Sequence, residues 1–419
     1  MRFAILAAVC CVCLQGGSDG WTAWSPRAEI APRTYRDPKV SRDGSPALAM
    51  SGEGNPAVFG GWQRRVDGIQ PGKWYRFSAA YRATGLDYPA RQVLPRIDWI
   101  DAKDRRAGQP EYPWSTRTDG EWTTIAIDSP APAGASAAKL ELLLVNAPRA
   151  TVWWDRVSLE LTDAPAARPV SVTTVNLHPR NSSDPVAEFI AILDKTLPAK
   201  ADIALLPEGI TLVGTGKTYA DVAEPVPGPT TARLGELARR KKVWIVAGIL
   251  ERDGKTIYNT AVLIDREGRL AGRYHKVYIP REEFEGGITP GSDYPVFKTD
   301  FGTIGMMICW DVQFADPARA LALRGAEMIL MPIWGGHEVL AKARAIENRV
   351  FLVSSGYDHP TYVMDPDGET LARAFERGTV ATAVVDLSKR YAEPWLGDMR
   401  GRFMKEVRGD TPVDPPGRR

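Results

Sequence analysis

From Trp21 to about Leu161 the chain alternates apolar and polar residues with a period of two, the pattern of half-buried strands. Tyr75, Phe77, Ala79 and Tyr81 alternate with Trp74, Arg76, Ser78 and Ala80. Leu140, Leu142 and Leu144 mark a second such face, and Val157, Leu159 and Leu161 a third. Clusters of Gly, Pro and Asp separate the runs, and no helical period of useful length interrupts them. Two facing antiparallel sheets, a sandwich of the jelly-roll kind, bury such faces most economically. An all-β accessory module is therefore predicted over residues 21–161.

Residues 162–169, Thr-Asp-Ala-Pro-Ala-Ala-Arg-Pro, carry small residues, two prolines and no apolar period, which suits a linker. Beyond it the pattern changes to strands alternating with helices. Val170–Leu177 reads as a strand; then Val186, Phe189, Ile190 and Leu193 recur at helical spacing behind a capping Asp184 and a first-turn Pro185. Ile203–Leu206 and Val243–Ile249 are unbroken apolar runs, as in strands covered on both faces. Two strands between Asn259 and Tyr278 flank an Arg266-Glu267-Gly268 turn. Thr303–Ile308 leads to Cys309, a helix runs from Asp316 and Pro317 to a stop at Gly325, and the strand Met328–Met331 follows. A helix over Glu338–Asn348 and the strand Val350–Ser354 complete the series. Residues 170–387 are thus predicted as an α/β domain with a mixed sheet and outer helices. The Arg-, Gly- and Pro-rich residues 388–419 are expected to form an irregular C-terminal extension.

The 419 residues carry a formal charge of +2 with no block of like charge, so the electrostatics do not argue for a nucleic-acid partner and none is expected. Three of the four cysteines, Cys10, Cys11 and Cys13, lie in the apolar run Phe3–Leu14 behind Arg2. That run is too short for a membrane span, which needs about 20 apolar residues, and reads as a signal peptide over residues 1–20. Cleavage between Gln15 and Gly20 would leave Cys309 as the sole thiol of an exported, periplasmic or extracellular protein.

Cys309 ends an apolar strand where a turn begins, a position that exposes nucleophiles to following backbone N–H groups; a core cysteine is the alternative. Glu208 stands at the carboxyl end of a buried strand, and Lys276 shares a strand face with Tyr274 and Tyr278. Taken singly, Glu208 reads as a solvated carboxylate and Lys276 as a lysine snorkelling at a sheet rim.

Taken together, Leu205-Leu206-Pro207-Glu208-Gly209, Tyr274-His275-Lys276 and Met307-Ile308-Cys309-Trp310-Asp311 resemble the Glu, Lys and Cys motifs of the nitrilase or carbon-nitrogen hydrolase superfamily. The resemblance extends over about Pro169 to Leu387 and includes Thr289-Pro290-Gly291, Gly325-Ala326-Glu327 and Arg344-Ala345-Ile346-Glu347-Asn348. It implies an α-β-β-α sandwich and hydrolysis of a nonpeptide C–N bond in a small-molecule amide through a thioester, with no metal or organic cofactor. By resemblance Cys309 is the nucleophile, Glu208 its base, and Lys276 the charge facing the oxyanion, joined by the backbone N–H of Trp310. The family's second active-site glutamate falls among Glu282, Glu283 and Glu285; Glu283 is favoured, with Glu285 a substrate-binding candidate close behind. Asp311, Trp334 and Gly335 complete the expected substrate-binding set, and the resemblance implies a homo-oligomer.

Departures bear on substrate: Phe314-Ala315-Asp316 stands where relatives often carry Phe-Pro-Glu, and Trp310-Asp311 looks closer to amidase and N-carbamoyl-amine branches than to true nitrilases. The four histidines, His178, His275, His337 and His359, include no zinc-ligand pair. A Cys–His enzyme remains a formal rival, although alternation turns His275 away from the Lys276 face. Nine of thirteen tryptophans precede the linker. The module weakly resembles carbohydrate-binding jelly rolls, yet aromatics also fill the core of a small sandwich. The readings are therefore an exported thiol amidohydrolase, a noncatalytic glycan-binding protein on the same fold, and a nitrile hydrolase.

Overall fold

The computed structural model describes residues 20–357, 361–393 and 395–408. The expected leader, apart from Gly20, and His359 lie outside the described residues. The chain divides into two compact units, Ala166–Tyr391 and a second comprising the residues up to Pro165 together with those from Ala392.

The first unit is all-β apart from single turns and one C-terminal helix. One antiparallel sheet runs Thr22–Trp24, Phe59–Asp67, Ala137–Val145, Val93–Ile100 from edge to edge. The other runs Arg33–Asp37, Ala47–Ser51, Thr151–Thr162, Trp74–Thr84, Trp122–Pro130, Ser115–Asp119. Tyr75, Phe77 and Ala79 meet Leu140, Leu142 and Leu144 in one apolar cluster, as their alternation requires. Of the nine early tryptophans, Trp21, Trp62, Trp99 and Trp154 are buried and the other five half-buried. On the third expected face Leu159 is buried and Val157 packs against the core, and a bulge precedes Leu159. Arg156 adopts φ +50° and the register with the neighbouring strand shifts between Asp155 and Ser158. An extra residue reverses strand parity, so Val152 and Trp154 face the core before the bulge, Leu159 after it, and Leu161 is 55% exposed.

The second unit holds two six-stranded mixed sheets. One runs Leu270–His275, Thr256–Ile264, Trp244–Asp253, Ile203–Leu205, Pro169–Asn176, Thr379–Asp386; the other runs Val296–Lys298, Thr303–Met306, Met328–Pro332, Phe351–Ser355, Thr361–Met364, Thr370–Ala374. The central strands of each are parallel. Ile203–Leu205 packs on Met328–Pro332 and Phe351–Ser355, so the sheets lie face to face. Helices Pro185–Thr196 and Pro229–Lys241 cover the first sheet, and Asp316–Leu323 and Glu338–Asn348 the second. The result is four layers, α-β-β-α, whose doubly covered strands explain the unbroken apolar runs.

Local signals account for the element ends. Asp184 accepts from Ala187 N at 3.0 Å ahead of Pro185, and Gly325 (φ +97°) ends the helix before it. Helix Pro229–Lys241 is an addition to the predicted elements: its threonines and arginines dilute the apolar stripe of Leu234, Leu237 and Ala238. Gly235 lets it approach the hairpin turn, since a Cβ there would meet the Gly268 carbonyl at 2.5 Å.

The tail also differs from its expected irregularity. Met399–Glu406 is a helix of the first unit, and Lys405 is buried with its ammonium donating to the Val93 carbonyl at 3.2 Å. Burial pulls this lysine down to about 8 from its ordinary 10.5. A folded pKa below the unfolded one means the unfolded chain binds the proton more tightly. The helix therefore loses stability as pH falls from about 10.5 to about 8 and carries a constant penalty below that. Lys405→Met is expected to raise the melting temperature at pH 7, with the advantage shrinking between pH 8 and 10. Thermal melts followed by tryptophan fluorescence check this, and a gain independent of pH would contradict it.

Candidate active site

Three chain segments end at the carboxyl edge of the buried strands, where open α/β folds place their sites. Ile203–Leu205 delivers Glu208, Thr303–Met306 delivers Cys309, and Leu270–His275 delivers Lys276. Glu208 rides over the neighbouring strand at Gly248, where a Cβ would sit 2.6 Å from the Glu208 Cα. Its backbone carbonyl accepts from the buried Tyr357 hydroxyl. Lys276 is fixed on both sides of its peptide: its N–H donates to the Asn259 carbonyl at 2.9 Å, and its carbonyl accepts from Gly291 N at 2.7 Å.

The Lys276 side chain is fully buried. Its ammonium donates to Glu208 Oε1 at 2.8 Å and to Glu283 Oε1 at 2.5 Å. Burial alone would discharge it, but Glu208, the Cys309 sulfur and Glu283 outweigh burial and raise its pKa. Glu283 is pushed up by burial and then by Glu208, against the pull of Lys276 and Asn259. The Asn259 amide donates to Glu208 Oε1 at 2.7 Å and to Glu283 Oε2 at 3.2 Å. Glu208 Oε2 is buried without a hydrogen-bond partner.

Cys309 is half-buried and opens the 3₁₀ turn Cys309–Gln313 with φ +42°, a strained value for a residue other than glycine. Its thiol donates to the Gly335 carbonyl at 3.5 Å. Burial first, then the Glu208 carboxylate, push its pKa up to about 12, with Lys276 opposing. The resting sulfur is therefore a protonated thiol within electrostatic reach of both partners.

The structure thus gathers Glu208, Lys276, Glu283 and Cys309 into one cluster and separates the other expected residues by role. Glu285, two residues from Glu283 on the short helix Arg281–Glu285, is turned outward, 68% exposed and 3.9 Å from Arg281, and does not join the cluster. Asp311 stands apart from the cluster as well: it is fully buried, and its carboxylate is engaged by the protein. It accepts from Tyr274 Oη at 2.7 Å, Ile308 N at 2.8 Å and Tyr278 N at 3.0 Å. These bonds tie the turn of Cys309 to the segment of Lys276. Trp310 and Trp334 remain partly exposed, Trp334 set edge-on against Tyr357 at 4.8 Å, and Gly335 faces the thiol. His275 stacks on Tyr258 and pairs with the buried Glu251 at 2.8 Å, on the opposite strand face from Asn259. It gives no support to a Cys–His pairing.

Asn259 and Tyr357 were not anticipated. An amide at an inward position of a doubly covered strand needs buried partners, and that signal was present in Ile257-Tyr258-Asn259-Thr260-Ala261. Tyr357 follows a strand end with no pattern to mark it.

Residues 172–394, just over half of the chain, match the carbon-nitrogen hydrolase family. The chain belongs to that family. As a carbon-nitrogen hydrolase it is similar to the omega-amidase NIT2 of Homo sapiens, 28% identical over 234 residues that span 49% of this chain and 84% of that one. It is similar also to the omega-amidase NIT2 of Bos taurus, 30% identical over 216 residues, 45% of this chain and 78% of that one. Among solved structures it is similar to Nit3 of Saccharomyces cerevisiae, at 23% identity and a TM-score of 0.47, covering 52% of this chain and 90% of that one.

The Asp311 bonds generate a test of the hydrolase's geometry. Hydrogen bonds to a charged acceptor contribute about 1.5–3 kcal/mol each, and a misplacement of about 1 Å can cost about 10²-fold in rate. Asp311→Asn is expected to lower unfolding free energy by about 1–3 kcal/mol and to lower kcat more than it raises KM. Urea denaturation and steady-state kinetics check this; an effect confined to KM would mark Asp311 as a substrate contact.

Proposed function

We propose that this carbon-nitrogen hydrolase is an exported thiol amidohydrolase that cleaves a small carboxamide through a Cys309 thioester. The observation that carries the reading is the bare, buried Oε2 of Glu208, with the carboxylate's other oxygen held by Lys276 and Asn259 and a protonated thiol within the carboxylate's electrostatic reach. A base with one oxygen anchored and one free is oriented to take a proton.

In the proposed reaction Glu208 takes the Cys309 proton as sulfur attacks the carbonyl carbon, so charge moves from carboxylate to substrate oxygen and the site's net charge is unchanged. The Lys276 ammonium faces that oxyanion. The N–H of Trp310, in the first turn of a helix where backbone donors have no internal acceptor, joins it. Collapse breaks the C–N bond, and Glu208 returns the proton to the departing ammonia or amine. Water then attacks the thioester, Glu208 takes its proton, and the acid leaves as the proton passes back to sulfur. Lys276 does not act as an acid at any step, in keeping with a pKa raised by its carboxylates. The omega-amidase relatives favour a carboxamide over an N-carbamoyl amine. Export rests on the apolar run Phe3–Leu14 behind Arg2.

The experiment is turnover of an amide panel by the full chain, with ammonia and acid measured together. Equimolar release is expected, with losses of about 10³-fold or more in Cys309→Ala and Glu208→Gln, since residues acting as a unit fail together. Undiminished turnover in Cys309→Ala would overturn the proposal. The thiol supplies a second test. With its pKa pushed up to about 12, its alkylation by iodoacetamide should keep accelerating with rising pH, where a free thiol levels off above about 8.5. A plateau near that value would show an unperturbed thiol.

A further inference from the structure

Asn259 is 4% exposed and sits in the strand Thr256–Ile264, at an inward position shared with Ile257 and Ala261. Its amide nitrogen has two hydrogens and spends both on carboxylates, Glu208 Oε1 and Glu283 Oε2. The Lys276 ammonium reaches Glu208 at the same Oε1 but Glu283 at the other oxygen, Oε1. Both oxygens of Glu283 are therefore occupied, whereas both donors converge on one oxygen of Glu208 and leave Oε2 bare. Lysine alone would not fix this outcome, because the terminal torsion of a glutamate is broad and nearly two-fold. A second donor, rigidly mounted on the strand that also receives the Lys276 N–H, removes the freedom. The reversed amide would set its oxygen against two carboxylates, so the neighbours dictate its orientation. Its own Oδ1 is buried without a partner. An unpaired buried oxygen is unfavourable where an apolar side chain would fit, which argues that the residue is there for its donor.

We propose that Asn259 is a positioning residue for the amidohydrolase reaction, selecting Oε2 of Glu208 as the proton acceptor and holding Glu283 apart from it. The proposal rests on the function proposed above. Asn259→Leu keeps the branched shape and heavy-atom count of the side chain, although it is bulkier; Asn259→Ala removes the side chain without crowding; Asn259→Ser keeps a single shorter donor. Both apolar variants are expected to lose about 10²-fold in kcat with KM within about three-fold, as for a misplaced base, and Asn259→Ser to recover part of the loss. Both apolar variants leave two buried carboxylates short of a donor and are expected to melt somewhat lower, alike in Leu and Ala. Without the amide donor, which opposes the upward push on Glu283, that carboxylate holds its proton more tightly. The acid limb of kcat/KM should then move to higher pH in Leu and Ala, and the pH profile of Cys309 alkylation should change as well.

Turnover within about three-fold of wild type with an unmoved acid limb would overturn the proposal. So would losses that follow melting temperature alike in Leu, Ala and Ser, which would mark a purely structural residue. Wild type and Cys309→Ala run in parallel separate the two claims. If wild type fails on every amide, or Cys309→Ala retains turnover, the amidohydrolase reading falls. The alkylation profiles still report whether Asn259 governs the carboxylate acting on the thiol.

Discussion

The ammonium of Lys276, sealed from solvent between two carboxylates, sets the terms for the rest of the hydrolase unit. A lone buried charge is strongly unfavourable, and even a buried ion pair is close to neutral unless its remaining donors and acceptors are satisfied. Here one cation answers two anions, and an uncharged amide supplies the donors that a single ammonium could not distribute. The cluster persists only if four chain segments are held in register. The backbone ties on Lys276, the tyrosine on the Glu208 carbonyl and the Asp311 bonds at the cysteine turn do that holding.

That arrangement also explains why the nucleophile rests protonated. A thiolate placed beside two carboxylates in a buried site would be a third negative charge facing one positive. The proton on sulfur avoids this, and the charge is created only when a substrate oxygen is present to receive it. The strained backbone at Cys309 belongs to the same economy, since it turns the sulfur toward the Gly335 carbonyl instead of back along its strand. A separate charged group, Glu251 with Arg273, His275 and Thr260, occupies the opposite face of the hairpin. Strand alternation keeps the two sets apart although their residues are adjacent in sequence.

Much of this was legible in advance. The cap and first-turn proline of Pro185–Thr196, the doubly covered strands, and the placing of Glu208, Lys276 and Cys309 at strand ends follow from short-range patterns and three motifs in order. Phase was harder. Glu283 and Glu285 lie nearly opposite on one helical turn, and nothing local says which faces inward. The bulge at Arg156 inverts a strand face without a glycine to announce it, and Asp311 reads like a pocket residue until its three donors are counted. Helix Met399–Glu406 buries Gly401 and Lys405, which leaves no apolar stripe to read.

The first unit is discontinuous in sequence, and the chain leaves it at Pro165 and returns at Ala392. Within the hydrolase unit, Pro169–Asn176 and Thr379–Asp386 are antiparallel neighbours, Pro169 opposite Asp386, so its two ends emerge side by side. Such an inserted body closes its loop at little entropic cost to its host. During synthesis, however, the host must wait. Its helix over Met399–Glu406 is translated only after every strand of the hydrolase, so the β unit that begins to form earliest is the one completed last.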